Sequence, residues 1–564
     1  MRELLSRLSI TGFDSNAWMN QFSQNASALP NIAVAASGGG YRAMLNGAGS
    51  LAAFDSRTSN STSKGHIGGL LQSATYFAGL SGGSWLLGSM YINNFTSIES
   101  LIKTTPAQSG SLWQLGNTIV EGPATEGVQL FSTVQYWSNL VDAATGKADA
   151  GFNTSLTDLW GRGLSFQFIN ATAGGPGITW SSLQDDPAIT SAGAPLPFVV
   201  ADGRAPGETL IPANTTIFEF TPWELGSYDQ SLFGFAPLKY VGSNFSAGAL
   251  PNNEACIAGF DNAGFVMGTS SSLFNQILLN LNFTSISSSV RGAVQSLLQT
   301  LSEDNNDIAD WTPNPFYHYN NASNRAASSK RLTLVDGGED LQNLPLHPLL
   351  QSQRAVDVIF AVDSSADTLA PGANWPNGTA LVATYQRSIS SSIPGSPKFP
   401  QIPDQNTFVN LGLNNRPTFF GCNATSTKDS GPLVVYIPNS PYVYYSNTST
   451  FTMKYNNTER NAIVQNGYNV ATMGNGTRDA QWPACVGCAI LSRSLKRTGT
   501  PVPEVCNQCF ERYCWDGRVN STTPAPYMPA PLLAQIKVSG ADKGLVVKSA
   551  GAVVATAVVG LLVW

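Results

Sequence analysis

Charge is scarce in this chain: Asp, Glu, Lys and Arg make up 12% of 564 residues, and histidine occurs three times. No basic stretch is present to neutralise phosphates and the net charge is −6, so nucleic acid is excluded as a partner. No apolar run reaches the roughly 20 residues that span a bilayer. The opening segment, MRELLSRLSITGFDSNAW, starts with charge but lacks the apolar core of about 7–15 residues that makes a secretory signal. Neither G-x-G-x-x-G nor a Walker pattern occurs, so the usual nucleotide-phosphate loops are missing.

Apolar residues are plentiful, at 42%, and a chain of this length buries a large core. Gly, Ser, Asn and Thr fill the place of charge, so the surface must be made polar by something else. Fifteen Asn-X-Ser/Thr sequons offer it: Asn25, Asn60, Asn94, Asn153, Asn170, Asn214, Asn244, Asn282, Asn321, Asn377, Asn423, Asn447, Asn456, Asn475 and Asn520. Glycans there are solubilising and occur on exported proteins. Seven cysteines accompany them: Cys256, Cys422, Cys485, Cys488, Cys506, Cys509 and Cys514. Four of them read C-x2-C-x17-C-x2-C, which is also the spacing of a structural zinc site. In an oxidising compartment disulfides are the expectation, with one thiol left over.

The C-terminus reads as a glycosylphosphatidylinositol (GPI) attachment signal. Small residues Ser539 and Gly540 are the attachment candidates, followed by a short polar spacer and the apolar tail GAVVATAVVGLLVW. Such a chain is expected on the outer face of the plasma membrane or in the cell wall, or secreted. An export address without an export signal predicts an N-terminus truncated relative to the gene's product. The expected organisation is a catalytic domain over 1–519 with a cysteine-rich part at 485–514, a Pro-rich spacer over 520–538, and the attachment signal over 539–564.

Short β-branched runs at Ile32–Ala36, Leu332–Val335, Val356–Val362 and Leu433–Ile437 predict buried strands. Helical patterns follow at Arg42–Phe54, Trp85–Ile92 and Phe274–Leu281. Alternation of this kind predicts an α/β fold, a layered mixed central sheet flanked by helices. Residues 100 to 330 read as loop-rich and irregular.

Three glycine-rich stretches carry the chemistry. In NIAVAASGGGYRAML a strand runs into Ser37 and Gly38–Gly40 and then a helix, which leaves bare amides at a helix N-terminus, the geometry of an oxyanion hole. Arg42 adds a fixed cation beside it. In FAGLSGGSWLLGSM, Gly79-Leu80-Ser81-Gly82-Gly83 matches the G-x-S-x-G nucleophile elbow between a strand and a helix. Ser84, the other candidate, falls inside that helix. In RLTLVDGGED a strand delivers Asp336 at its end, where a turn-capping role competes with a functional one. A serine must lose its proton as it attacks, and His66, His318 and His347 all lack a signature context. The residues therefore predict a Ser81–Asp336 pair in which the carboxylate takes the proton.

SGGGYRAML, GLSGGSW and LVDGGED, in that order, resemble the fungal lysophospholipase/phospholipase B family, whose catalytic core is similar to that of the cytosolic phospholipases A and, more distantly, the patatins. The resemblance implies Ser81 as nucleophile, Asp336 as general base, Gly39 and Gly40 as oxyanion hole, and Arg42 steadying the substrate phosphate. It implies hydrolysis of fatty-acyl esters of lysophospholipids and phospholipids at a membrane or micelle surface through an acyl-enzyme, with no metal or other cofactor. The family's N-terminal signal and the cysteine-containing stretch after it are absent here, and a lost cysteine there accounts for the odd count. Three alternatives stand beside it: a serine–histidine esterase or lipase, an acyltransferase using the same acyl-enzyme, and a non-catalytic GPI-anchored surface glycoprotein whose glycines serve packing.

Overall fold

The computed structural model describes residues 1–103, 112–125, 128–129, 133–205, 208, 211–275, 308–368, 372–423 and 431–538. Eleven strands form its main sheet: β1 (Ile32–Ala36), β2 (Tyr76–Gly79), β3 (Leu196–Gly203), β4 (Ile217–Phe220), β5 (Glu224–Ser227), β6 (Gly234–Pro237), β7 (Ala309–Trp311), β8 (Leu332–Asp336), β9 (Val358–Asp363), β10 (Thr418–Phe420) and β11 (Leu433–Pro438). They lie in the order β10-β11-β9-β1-β2-β3-β4-β5-β6, with β8 against β3 and β7 against β8. The centre, β11-β9-β1-β2-β3, is parallel, and both flanks are antiparallel.

All five residues of β1 are buried, as a parallel strand covered on both faces requires. Ile32, Val34 and Ala36 point into one apolar core, and Ala33 and Ala35 into the other, following the two-residue period of a strand. The four runs read as buried strands are strands, shifted at their ends by at most two residues. The irregular stretch before residue 330 proves to supply β3 to β7. There, short antiparallel strands such as GFAP and ELGS carry glycine, proline and charge and lack the β-branched signature.

The helices that matter for the site follow the first two strands. α1 (Gly40–Phe54) and α2 (Gly82–Tyr91) have every residue buried, which a helix apolar on all sides demands. Further helices are α3 (Leu156–Phe168), α4 (Ala263–Thr269), α5 (Asn457–Thr472), α6 (Trp482–Thr498) and α7 (Glu504–Tyr513). Of the helix read at Phe274–Leu281, residues 276–281 lie outside the described residues. α6 and α7 form a hairpin stapled twice, by Cys485–Cys509 and Cys488–Cys506. The two C-x2-C spacings thus place cysteines one turn apart on facing helices, and the bonds are disulfides. Cys422–Cys514 ties the same hairpin to the edge strand β10, and Cys256 is the exposed free thiol.

Candidate active site

Past the end of β2 the chain turns through Leu80 into Ser81, the N-cap of α2, held at φ 49° and ψ −118°. A positive φ on a non-glycine residue costs about 1–3 kcal/mol, so the surroundings must enforce it. They do so with hydrogen bonds on both sides. The Ser81 N–H donates to Ser270 Oγ at 2.9 Å, and Ser84 Oγ donates to the Ser81 carbonyl at 2.6 Å. A Cβ on Gly82 would collide with the Gly40 carbonyl, and one on Gly83 with that of Ala36. The glycines around Ser81 therefore let the elbow and the Gly38–Gly40 loop meet backbone to backbone.

β8 brings the carboxylate from the opposite direction. Along β3, Gly79 of β2 pairs with Val199 and Asp336 of β8 pairs with Ala201, so the two strand ends run toward each other on one edge. Asp336 Oδ1 accepts the Gly338 N–H at 3.0 Å, and the Ser81 hydroxyl lies close enough to the carboxylate to favour its charged form. The Asp336 N–H donates to Ser272 Oγ at 3.0 Å. Ser81 is 3% exposed and Asp336 4%. Burial pushes the Asp336 carboxyl up to about 7, against the opposing pull of the Gly338 N–H and the Ser81 hydroxyl.

The third stretch lies directly against the serine, since a Cβ on Gly38 would stand 3.0 Å from Ser81 Cβ. The Ser37 amide is taken by the Val362 carbonyl and the Gly38 amide by that of Asn343. Asn343 Nδ2 also donates to the Gly38 carbonyl at 3.1 Å, so this residue braces the loop twice, once through its main chain and once through its side chain. Gly39 (φ 128°) and Gly40 (φ 60°) open α1, and among the described residues their amides make no hydrogen bond. Two free N–H groups at the positive end of a helix suit a developing negative charge.

Arg42 lies beneath this loop and is 1% exposed. Its Nε donates to the Ser364 carbonyl, and its Nη1 to the Thr448 carbonyl and Thr450 Oγ1. Nη2 has no acceptor among the described residues and sits nearest Gly39, 2.5 Å from where a Cβ would be. Burial lowers this guanidinium to about 10, with Tyr455, Asp367 and Asp363 opposing.

The histidines are engaged elsewhere. His66 Nδ1 meets the Tyr468 hydroxyl, His318 stacks on Tyr317 beside Ser246, and His347 Nε2 meets Asp229 Oδ1 at 3.0 Å in a buried group with Arg387. Sequence reasoning missed Ser270 and Ser272, which bond the amides of Ser81 and Asp336, as well as Asn343. A serine run in an irregular segment reads as loop, and nothing in its spacing points to the elbow.

Of the fifteen sequons, Asn282 lies outside the described residues, as do Ser539 and Gly540. Asn214, Asn377 and Asn447 are half-buried, the other eleven are exposed, and none of these fourteen is buried. Among the described residues no helix is long and apolar enough to cross a membrane, and no group of three or more His, Cys, Asp or Glu side chains could hold a metal ion.

A mixed sheet carrying a serine elbow that faces a buried aspartate and a glycine loop is the arrangement of an ester hydrolase. The pattern of the lysophospholipase catalytic domain matches residues 32–520, and the chain belongs to that family of carboxylic-ester hydrolases. It is 57% identical over 534 residues to lysophospholipase 1 of Aspergillus fumigatus, covering 94% of this chain and 83% of that one. To the lysophospholipase of Penicillium chrysogenum it is 56% identical over 535 residues, 95% of this chain and 86% of the relative. Its fold is that of human GIVD cytosolic phospholipase A2, with a TM-score of 0.61 at 16% identity over 88% of this chain and 67% of that one.

Proposed function

We propose that the chain hydrolyses fatty-acyl esters of lysophospholipids and phospholipids through an acyl-enzyme on Ser81. The observation that carries this is the meeting of Ser81 and Asp336 where the ends of β2 and β8 converge on β3, with Ser81 at a strained elbow against the Gly38–Gly40 loop. As Ser81 Oγ attacks the ester carbonyl, its proton passes to Asp336, and the carbonyl electrons move to oxygen, where the Gly39 and Gly40 amides receive the charge. Collapse expels the glycerol-side alkoxide, which takes the proton from Asp336. Water then gives its proton to Asp336 and attacks the acyl carbon, and the second collapse frees the fatty acid and returns a proton to Ser81. Arg42 Nη2 is the group we assign to the substrate phosphate. The relatives named lysophospholipase support this substrate class.

The same proposal includes export. Three disulfides and sequons that are nowhere buried among the described residues favour an extracellular glycoprotein, with a GPI lipid attached at Ser539 or Gly540 and the enzyme working at a membrane or micelle surface. The division into a catalytic domain over 1–519, a spacer over 520–538 and a signal over 539–564 belongs to it.

The test is fatty-acid release from a lysophosphatidylcholine dispersion by wild type, Ser81→Ala, Asp336→Ala and a variant lacking all three histidines. The serine and aspartate variants, folded, fall to background, and the histidine variant turns over. Activity retained by Ser81→Ala overturns the reading.

A further inference from the structure

Neither backbone amide of the dyad is paired within the sheet. The β2 ladder stops at Gly79, two residues before Ser81, whose N–H faces away from any strand. On β8, the pairing with β7 ends at Leu334, which leaves the Asp336 N–H pointing past the end of that neighbour. Buried N–H groups are almost always paired, so something outside the sheet must take both.

One turn of chain does. α4 ends at Thr269, and the next three residues are serines with no solvent exposure. Ser270 Oγ accepts the Ser81 N–H at 2.9 Å and donates to the Val200 carbonyl of β3 at 2.6 Å. Ser272 Oγ accepts the Asp336 N–H at 3.0 Å. Ser271, between them, faces elsewhere: it accepts the indole N–H groups of Trp85 and Trp160 at 2.9 and 3.0 Å and donates to the Met267 carbonyl at 2.8 Å.

We infer that Ser270 and Ser272 are positioning residues for the hydrolysis, a clamp that sets the separation of nucleophile and base from outside the sheet; this rests on the catalytic reading of Ser81 and Asp336 above. The two amides it holds come from strands that approach head-on and share no hydrogen bond across the gap between them. Two positions separated by one residue on a single covalent turn fix that gap more tightly than the register of two separate ladders. The clamp also acts at the strained residue itself: without Ser270, the Ser81 N–H loses the partner that holds its positive φ. Misplacing a reacting atom by about 1 Å costs on the order of 100-fold in rate.

The middle serine supplies the control. Ser270→Ala and Ser272→Ala are expected to lower kcat about 10- to 100-fold at unchanged KM, and to slow labelling of Ser81 by a fluorophosphonate reagent in parallel. Ser271→Ala, which strands two buried indoles, lowers Tm and keeps wild-type kcat. Ser270→Cys and Ser272→Cys fill the same volume with a poor acceptor, so they fold and lose kcat as the alanine variants do. Ser270→Thr and Ser272→Thr restore kcat even where the added methyl lowers Tm. The inference is overturned if the alanine and cysteine variants keep wild-type kcat while Ser81→Ala is inactive, or if Ser271→Ala loses as much kcat as its neighbours. If Ser81→Ala stays active, it is the catalytic reading that falls, and the clamp with it.

Discussion

Gly79 and Asp336 lie two positions apart on one edge of β3, opposite Val199 and Ala201, although their strands run in opposite directions. A strand of eight residues, Leu196–Gly203, takes a parallel neighbour along its first half and an antiparallel one along its second. Two strand ends that point at each other deliver the hydroxyl and the carboxylate to one spot.

Asp336→Asn keeps the shape of the carboxylate but cannot take a proton, so kcat falls by about 10²- to 10⁴-fold. The variant also melts higher than wild type at pH 8, because the wild type must bury a charge there and the amide does not. Steady-state kinetics and a thermal melt on the same preparation check both halves. Normal kcat in the variant removes Asp336 as the base.

Under the proposed mechanism, activity depends on pH through the same carboxyl. With Asp336 raised by burial to about 7, the base is protonated below that value and free above it. The rate constant kcat/KM therefore drops as pH falls through about 7, following one proton on its acid side. A profile flat from pH 5 to 8 contradicts this.

Stability runs the other way. Burial raises the carboxyls of Asp202, Asp340 and Asp363, and it raises Asp336 and Asp367 to about 7. An unfolded aspartate titrates at about 3.9, so between about 4 and 7 the native state binds more protons than the unfolded one. Stability from these groups is complete below that window and declines as pH rises through it, so Tm is higher at pH 5 than at pH 8. Asp229 opposes the trend in strong acid: burial pushes it up, but His347 and Arg387 outweigh that and hold it low, so its contribution is lost below about pH 4. Melting curves across this range that rise toward pH 8 refute the account.

Substitutions that touch only packing separate the two roles of the glycines and cysteines. Gly82→Ala drives a methyl into the Gly40 carbonyl, where backbone meets backbone and nothing can rotate away. It costs about 1–3 kcal/mol and shifts the elbow off the glycine loop, lowering kcat as well. Loss of Cys485–Cys509 or Cys488–Cys506, with sequence separations of 24 and 18, costs about 3 kcal/mol, and loss of Cys422–Cys514, with a separation of 92, about 4.5. Cys256→Ser changes neither stability nor activity, since that thiol is exposed and unbonded. Urea unfolding midpoints with activity assays read all five.

How much was legible follows from what each feature depends on. β1, β8, β9 and β11 were visible because a buried strand needs consecutive apolar residues, and each run is short and β-branched. The elbow and the Gly38–Gly40 loop were visible because close backbone approach leaves glycine as the sole option on both sides. β4 to β6 were hidden: edge-side antiparallel strands tolerate Glu224, Gly226 and Pro237. The meeting of β2 and β8 on β3 is a matter of register, which composition does not encode. The burial of Arg42 under carbonyls of Ser364 and Thr448 depends on segments far along the chain, so the cation was foreseeable and its surroundings were not.

Under the proposed mechanism, the division of β3 between two neighbours also governs when hydrolysis becomes possible. Ser81, its helix and the loop that abuts it belong to the first strands synthesised, whereas Asp336 arrives only after the intervening half of the sheet. A nascent or partly unfolded chain therefore carries its serine without a proton acceptor. Lipid around it is safe from attack until β8 docks, and the same dependence switches hydrolysis off as soon as that strand comes loose.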